Sequence, residues 1–217
     1  MYKYEKAVSL MRKDYYGKNY WCFESRKLHR RVAVFSNLEY ENILNLEMNP
    51  EVEWYCEYPL ETVVFIGGKE TKVLFSTWVL YTNGKEEYQG VSYQKDASAK
   101  SKQQIGAMLM WCLQNNQQFS FCNETTIEKG QFFIRNLNVL SVRARRFAAH
   151  SKNADMAIIN YLQNIDTATI GYLESSGRFE KNKTLDYIAD LFYRGVITLL
   201  NIENECISNT MEVKYIG

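Results

Sequence analysis

Chain-breaking residues are scarce. Two prolines and eleven glycines are spread over 217 positions, which argues against long linkers and leaves room for one large domain, or a medium and a small one. Cysteine is sparse and unpatterned. Cys22, Cys56, Cys112, Cys122 and Cys206 are odd in number and widely spaced, with no C-x-x-C. Reduced thiols packed as small core residues are expected, in a cytoplasmic protein. With two histidines far apart, a zinc centre is not expected either. No apolar run approaches membrane-spanning length, and the opening MYKYEKAVSLMRKDYY is too charged for a signal peptide, so no membrane is expected as a partner. Net charge is also missing: 26 basic against 25 acidic residues leave +1, and global charge points to no partner.

What is present is core-forming material. Apolar residues make up 46% and aromatics 14%, so wholesale disorder is not expected. Charge is unevenly placed. From Gln131 to Ala154 there is no acid, while Arg135, Arg143, Arg145, Arg146 and Lys152 fall there. A second basic knot is Arg26, Lys27, His29, Arg30 and Arg31. Such clusters are electrostatic footprints for phosphate; a solvated basic face is the alternative. Arg26, Lys27, Arg30, Arg31, Arg143, Arg145 and Arg146 are the candidate phosphate contacts.

Periodicity orders the chain. The first twenty or so residues read as a short helix or an arm. Ser36-Asn37-Leu38-Glu39 is a capping box opening a helix that stops by Asn49-Pro50. Strand patterns follow at 52–56, 61–66, 72–81 and 86–93, with Gly67-Gly68 and a two-residue Asn83-Gly84 turn between the last three. A helix over 98–116, a short strand over 119–122 and a helical connection over 131–146 come next. Helices are expected at 156–162, 167–174 and 184–193, the last stopped by Gly195. A hairpin over 196–216 turns at 201–205. Helix, meander, helix and strand make one unit, to about residue 150. Three helices and a hairpin make a second, over 151–217, on the winged-helix plan. A generic helical cap is the alternative.

The stretches SRKLHRRVAVFSNLEYENILNLEMNPEVEWYCEYPL (25–60), QQIGAMLMWCLQNNQQFSFCNETTIEKGQFFIRNL (103–137) and TLDYIADLFYRGVITLLNI (184–202) together resemble the TnsA family. These are the endonuclease subunits of bacterial cut-and-paste transposons. The resemblance covers nearly the whole chain after residue 22. It implies an α+β architecture: a restriction-endonuclease-like (PD-(D/E)XK) nuclease domain over 1–150 and a small winged-helix domain over 151–217. It also implies Mg²⁺-dependent cutting of transposon 5′ ends, with DNA, a DDE-type transposase subunit and an AAA+ ATPase regulator as partners.

The resemblance sets what the site should hold: an acid on the first helix, an Asp on the first hairpin strand and acid-x-Lys on the second. Glu39 matches the helix acid, and capping would explain it equally well. Ser76 stands where the Asp is expected, and Gly90-Val91-Ser92 where the acid-x-Lys is expected. Mg²⁺ needs carboxylates, and each missing acid forgoes roughly 4 kcal/mol of attraction per unit charge at 4 Å and an effective dielectric of 20. Glu39 alone should not hold a catalytic ion. The expectation is a pseudonuclease that binds DNA or bridges the transposase to its regulator. A nuclease with a rearranged or partner-completed site, and an interaction scaffold reused outside transposition, are the competing readings.

Overall fold

A computed structural model describes residues 2–11, 17–94, 99–147, 152–177 and 183–217. The chain is α+β and divides into two compact units. One comprises Met1–Glu47 and Glu51–Ile127, the other Met48–Pro50 and Glu128–Gly217. The division therefore falls at Ile127, earlier than the break expected near residue 150.

The first unit opens with an irregular segment and then a hairpin, β1 (Trp21–Ser25) and β2 (Arg30–Val34). That hairpin was not anticipated, because its turn is charged rather than Gly- or Asn-rich. Helix α1 (Asn37–Met48) starts at the capping box: Ser36 Oγ accepts from Glu39 N at 3.1 Å, satisfying one of the open first-turn donors. Strand β3 (Val52–Glu57) follows, then β4 (Glu61–Ile66), β5 (Lys69–Leu74), β6 (Thr77–Tyr81) and β7 (Glu86–Val91). The strand expected over 72–81 is broken at Phe75-Ser76. β4 and β5 form a separate two-stranded hairpin, while β3, β6 and β7 form the antiparallel meander. Helix α2 (Ala99–Gln114) crosses over to β8 (Phe119–Cys122), which pairs parallel to β7. A short α3 (Glu124–Ile127) closes the unit.

The β6–β7 turn corrects an expectation. Leu80 lies opposite Glu86, and Tyr81 N donates to Lys85 O at 2.9 Å. The loop therefore has three residues, Thr82, Asn83 and Gly84, rather than two. Gly84 takes φ +81, the left-handed conformation that such a loop requires.

Two apolar clusters lie on the two faces of the β3-β6-β7-β8 sheet. One joins Ile43 and Leu46 of α1 with Tyr55 and Val79. The other joins Ala107, Met108 and Cys112 of α2 with Trp78 and Tyr88. Strand alternation assigns the residues: Thr77 and Val79 face α1, Trp78 faces α2.

The second unit contains α4 (Phe133–Phe147), α5 (Lys152–Ile165), β9 (Thr167–Thr169), α6 (Ile170–Ser175), α7 (Thr184–Tyr193), β10 (Ile197–Leu199) and β11 (Glu212–Tyr215). The helix expected over 167–174 is a strand followed by a one-turn-and-a-half helix, because Thr169 caps it from an extended conformation. The three strands form one antiparallel sheet in the order β10-β11-β9. α4 belongs here, packed against α7. Gly195 ends α7 at φ +71, and a Cβ there would lie 2.6 Å from Pro50, so both the turn and the close approach require glycine. The loop from β10 to β11 is tied down by buried Asn136. Its Nδ2 donates to Ile202 O at 2.7 Å and Glu205 O at 2.6 Å, and its Oδ1 accepts from Ile207 N at 3.1 Å.

Candidate functional site

At the open end of the β6–β7 pair, α1, α2 and the sheet enclose a cleft of about 270 Å³. Lys18, Glu39, Tyr58, Ser76, Gly90 and Ser92 line it, with Ser101 and Met108 of α2. All four residues proposed for the degenerate centre, Glu39, Ser76, Gly90 and Ser92, thus share one cavity.

Within it they are not equivalent. Glu39 Oε2 accepts from Tyr58 Oη at 2.7 Å and from Phe35 N at 3.3 Å. The carboxylate therefore points back over its own helix cap. Burial raises its pKa; the hydrogen bonds from Tyr58 and Phe35, and the charge of Lys18, oppose that shift without cancelling it. Tyr58 is held at φ +43, an outlier for an aromatic residue. Its backbone is pinned by Val8 N donating to its carbonyl at 2.8 Å and by its own N–H donating to Ser76 O at 2.9 Å. Strain of this kind persists only where the surroundings over-determine it, and here the outcome is a tyrosine hydroxyl delivered to Glu39.

Ser76 is buried, and its Oγ accepts from Val91 N at 3.0 Å, closing the end of the β6–β7 ladder. Gly90 faces α2: a Cβ there would lie 2.8 Å from Met108 Sδ and 3.2 Å from the Phe119 ring. The α1 side of the same strands carries their neighbours. Thr77 stands opposite Gln89, and Gln89 Oε1 accepts from Asn42 Nδ2 of α1 at 2.8 Å. Gln89 Nε2 in turn donates to Glu87 Oε1 at 2.8 Å, which also takes Tyr81 Oη at 2.9 Å. The polar side chains on the α1 face of these strands thus include Thr77, Glu87 and Gln89. Sequence reasoning missed Asn42, Thr77 and Gln89. The signal was available: Asn42 follows Glu39 by three on a helix, and the Trp78–Tyr88 pair marks the opposite face as apolar.

A magnesium ion of the kind the resemblance implies does not fit these residues. Among the described residues Glu39 is the sole acid lining the cleft. One of its oxygens already takes two donors, and burial favours its neutral form. Hard dications need several oxygen ligands with carboxylate charge among them. No group of three or more His, Cys, Asp or Glu with metal-holding geometry occurs among the described residues. Asp96, the next acid in sequence after Glu87, lies outside the described residues.

The basic residues separate into engaged and exposed. Arg30 makes a bidentate pair with buried Glu57, 2.5 Å from Nη1 to Oε1 and 2.6 Å from Nη2 to Oε2. Burial lowers its pKa, and the Glu57 contacts outweigh that and raise it. Lys27 Nζ donates to Val52 O at 2.5 Å, and burial, partly offset by Glu47, brings its pKa down to about 8. Both residues serve the interior of the first unit. Arg31 is exposed and pairs with Glu24 at 3.2 Å, and Arg26 is half-buried at the hairpin turn, its N–H donated to Glu47 Oε1. In the second unit, Arg143 pairs with Asp186 of α7 at 3.0 Å. Arg145 Nε donates to Ser141 O at 3.2 Å, and Arg146 is exposed.

Among the described residues no helix is long and apolar enough to cross a membrane. Comparison of the chain with protein-family models gives no match, and comparison with curated proteins gives none either.

Proposed function

We propose that this chain is a TnsA-like pseudonuclease: a subunit of a DNA transposition machinery that binds DNA, or bridges the transposase to its ATPase regulator, without cutting. The observation that carries the reading is the cleft itself. Its helix acid is present, yet the strand positions beside it hold serine, glycine, threonine and glutamine where metal-dependent cutting needs acids and a lysine. Without a second carboxylate there is no cage for a dication and no means to lower the pKa of an attacking water.

The element order supports a restriction-endonuclease-like core: a capped helix, a three-stranded antiparallel meander, a crossover helix and a parallel fourth strand. The second unit supports a winged-helix reading. After α4, helix, strand, helix, helix, strand, long loop and strand follow in that order from α5, with the first strand paired to the last. Within that plan α7 would occupy the reading position. It offers DNA little: Tyr187, Ile188 and Leu191 are buried, and it carries Asp186 and Asp190 rather than cations.

The test is a binding and nicking assay on labelled transposon-end DNA with Mg²⁺ or Mn²⁺, with and without a co-expressed transposase. Salt-sensitive binding without cleavage is expected. Metal-dependent nicking that Glu39→Ala abolishes would overturn the proposal. Rebuilding the α1 face with Thr77→Asp, Gln89→Glu and Val91→Lys should restore cutting more readily than Ser76→Asp, Gly90→Glu and Ser92→Lys, because a glutamate at 90 meets Met108 and Phe119.

A further inference from the structure

Helix α4 has two faces of different chemistry. Its inner face, Leu137, Leu140 and Ala144 with Asn136 and Ser141, is buried. Its outer face carries Arg135, Asn138, Val139, Val142, Arg145 and Arg146, repeating at three- and four-residue intervals along one stripe. Arg135 and Arg146 are exposed, as are Val139 and Val142. Neither exposed arginine has an ion-pair partner among the described residues, whereas Arg143, turned toward α7, is neutralised by Asp186. The helix lies wholly inside the acid-free stretch from Gln131 to Ala154.

We propose that this outer face of α4, and not α7 or the basic knot of the β1–β2 hairpin, is the surface through which the chain grips duplex DNA. Charge complementarity selects the occupant: three arginines with no acid on the same helix match a phosphate backbone. The stripe runs from Arg135 to Arg146, eleven rises of 1.5 Å or about 16 Å, and a major groove admits a helix of this size. In that placement Arg135 and Arg146, at opposite ends, meet phosphates on the two sides of the groove with Arg145. Asn138 is the residue type that pairs with adenine edges, and Val139 and Val142 suit thymine methyl groups. The inference rests on the DNA-binding reading above and assigns its surface.

The experiment measures affinity of the full chain for a labelled duplex over a series of salt concentrations. Three proteins are compared: wild type, Arg135→Gln with Arg146→Gln, and Arg31→Gln as a basic-surface control. The substituted side chains are solvent-facing, and a thermal melt confirms that each variant folds. Losing two phosphate contacts should weaken binding about tenfold and reduce the slope of log K against log salt by about two, while Arg31→Gln leaves both unchanged. Arg135→Lys with Arg146→Lys should recover most of the affinity and the slope. Binding undiminished in the double glutamine variant overturns the α4 assignment and leaves the DNA reading standing. No binding by wild type overturns the DNA reading itself. If the double variant keeps DNA affinity but loses association with co-expressed transposase, the face docks protein, and the proposal is likewise overturned.

Discussion

Two carboxylates of the first unit carry opposite lessons. Glu57 is buried and clamped by Arg30, so removing the arginine strands a charge. Arg30→Ala should cost about 3 kcal/mol in urea unfolding, whereas Arg31→Ala, which breaks the exposed Glu24 pair, should cost under about 1 kcal/mol. Glu39 is the reverse case. Its folded pKa lies above its unfolded one because of burial, so the native state holds its proton more tightly. Folding is favoured while Glu39 is protonated, and stability falls as pH rises from the unfolded pKa through the folded one. Melting temperatures measured across weakly acid to neutral pH should therefore fall more for wild type than for Glu39→Gln, which keeps an acceptor for Tyr58 without the charge. A wild-type profile identical to that of the variant would show that Glu39 does not titrate in that range.

Elements divide by how locally they are encoded. Helix α1 and strand β8 were legible because a capping box, Asn49-Pro50 and flanking asparagines bound them. The positions chosen by resemblance, Ser76, Gly90 and Ser92, line one cleft. Which face each presents was not legible, since in a strand a single step moves a side chain to the other side of the sheet. Gly90 thus lies toward Met108 while Gln89 reaches Asn42, a distinction set by two helices far away in sequence. The β1–β2 hairpin and the placement of α4 escaped notice for the same reason, as tertiary partners rather than local pattern decide them. The long β10–β11 loop is another such element, held by Asn136 together with the backbone N–H groups of Phe132 and Gly171, which donate to Glu203 O and Asn209 O. Asn136→Ala removes three hydrogen bonds and leaves the carbonyl of buried Ile202 and the partly buried Ile207 N–H without that partner. It should cost about 2–3 kcal/mol, and amide exchange at Ile207, whose N–H is the group released, should accelerate more than exchange within α5.

At the scale of the whole molecule, the second unit is discontinuous, since Met48–Pro50 belongs to it. Gly195→Ala forces an L side chain into φ +71 against the Pro50 ring and should lower stability by about 2 kcal/mol. A fragment beginning at Glu128 lacks Pro50 altogether, and its amide protection around Val196 should fall below that of the full chain. The Pro50–Gly195 contact also carries a consequence for synthesis on the ribosome. Pro50 leaves the exit tunnel first, and Gly195 follows 145 positions later (195 − 50). At a typical elongation rate of about 5–20 residues per second, roughly 7 to 29 seconds separate the two. During that interval the earlier segment waits for a partner not yet made, and the packing of Pro50 against the end of α7 begins only once Gly195 has emerged.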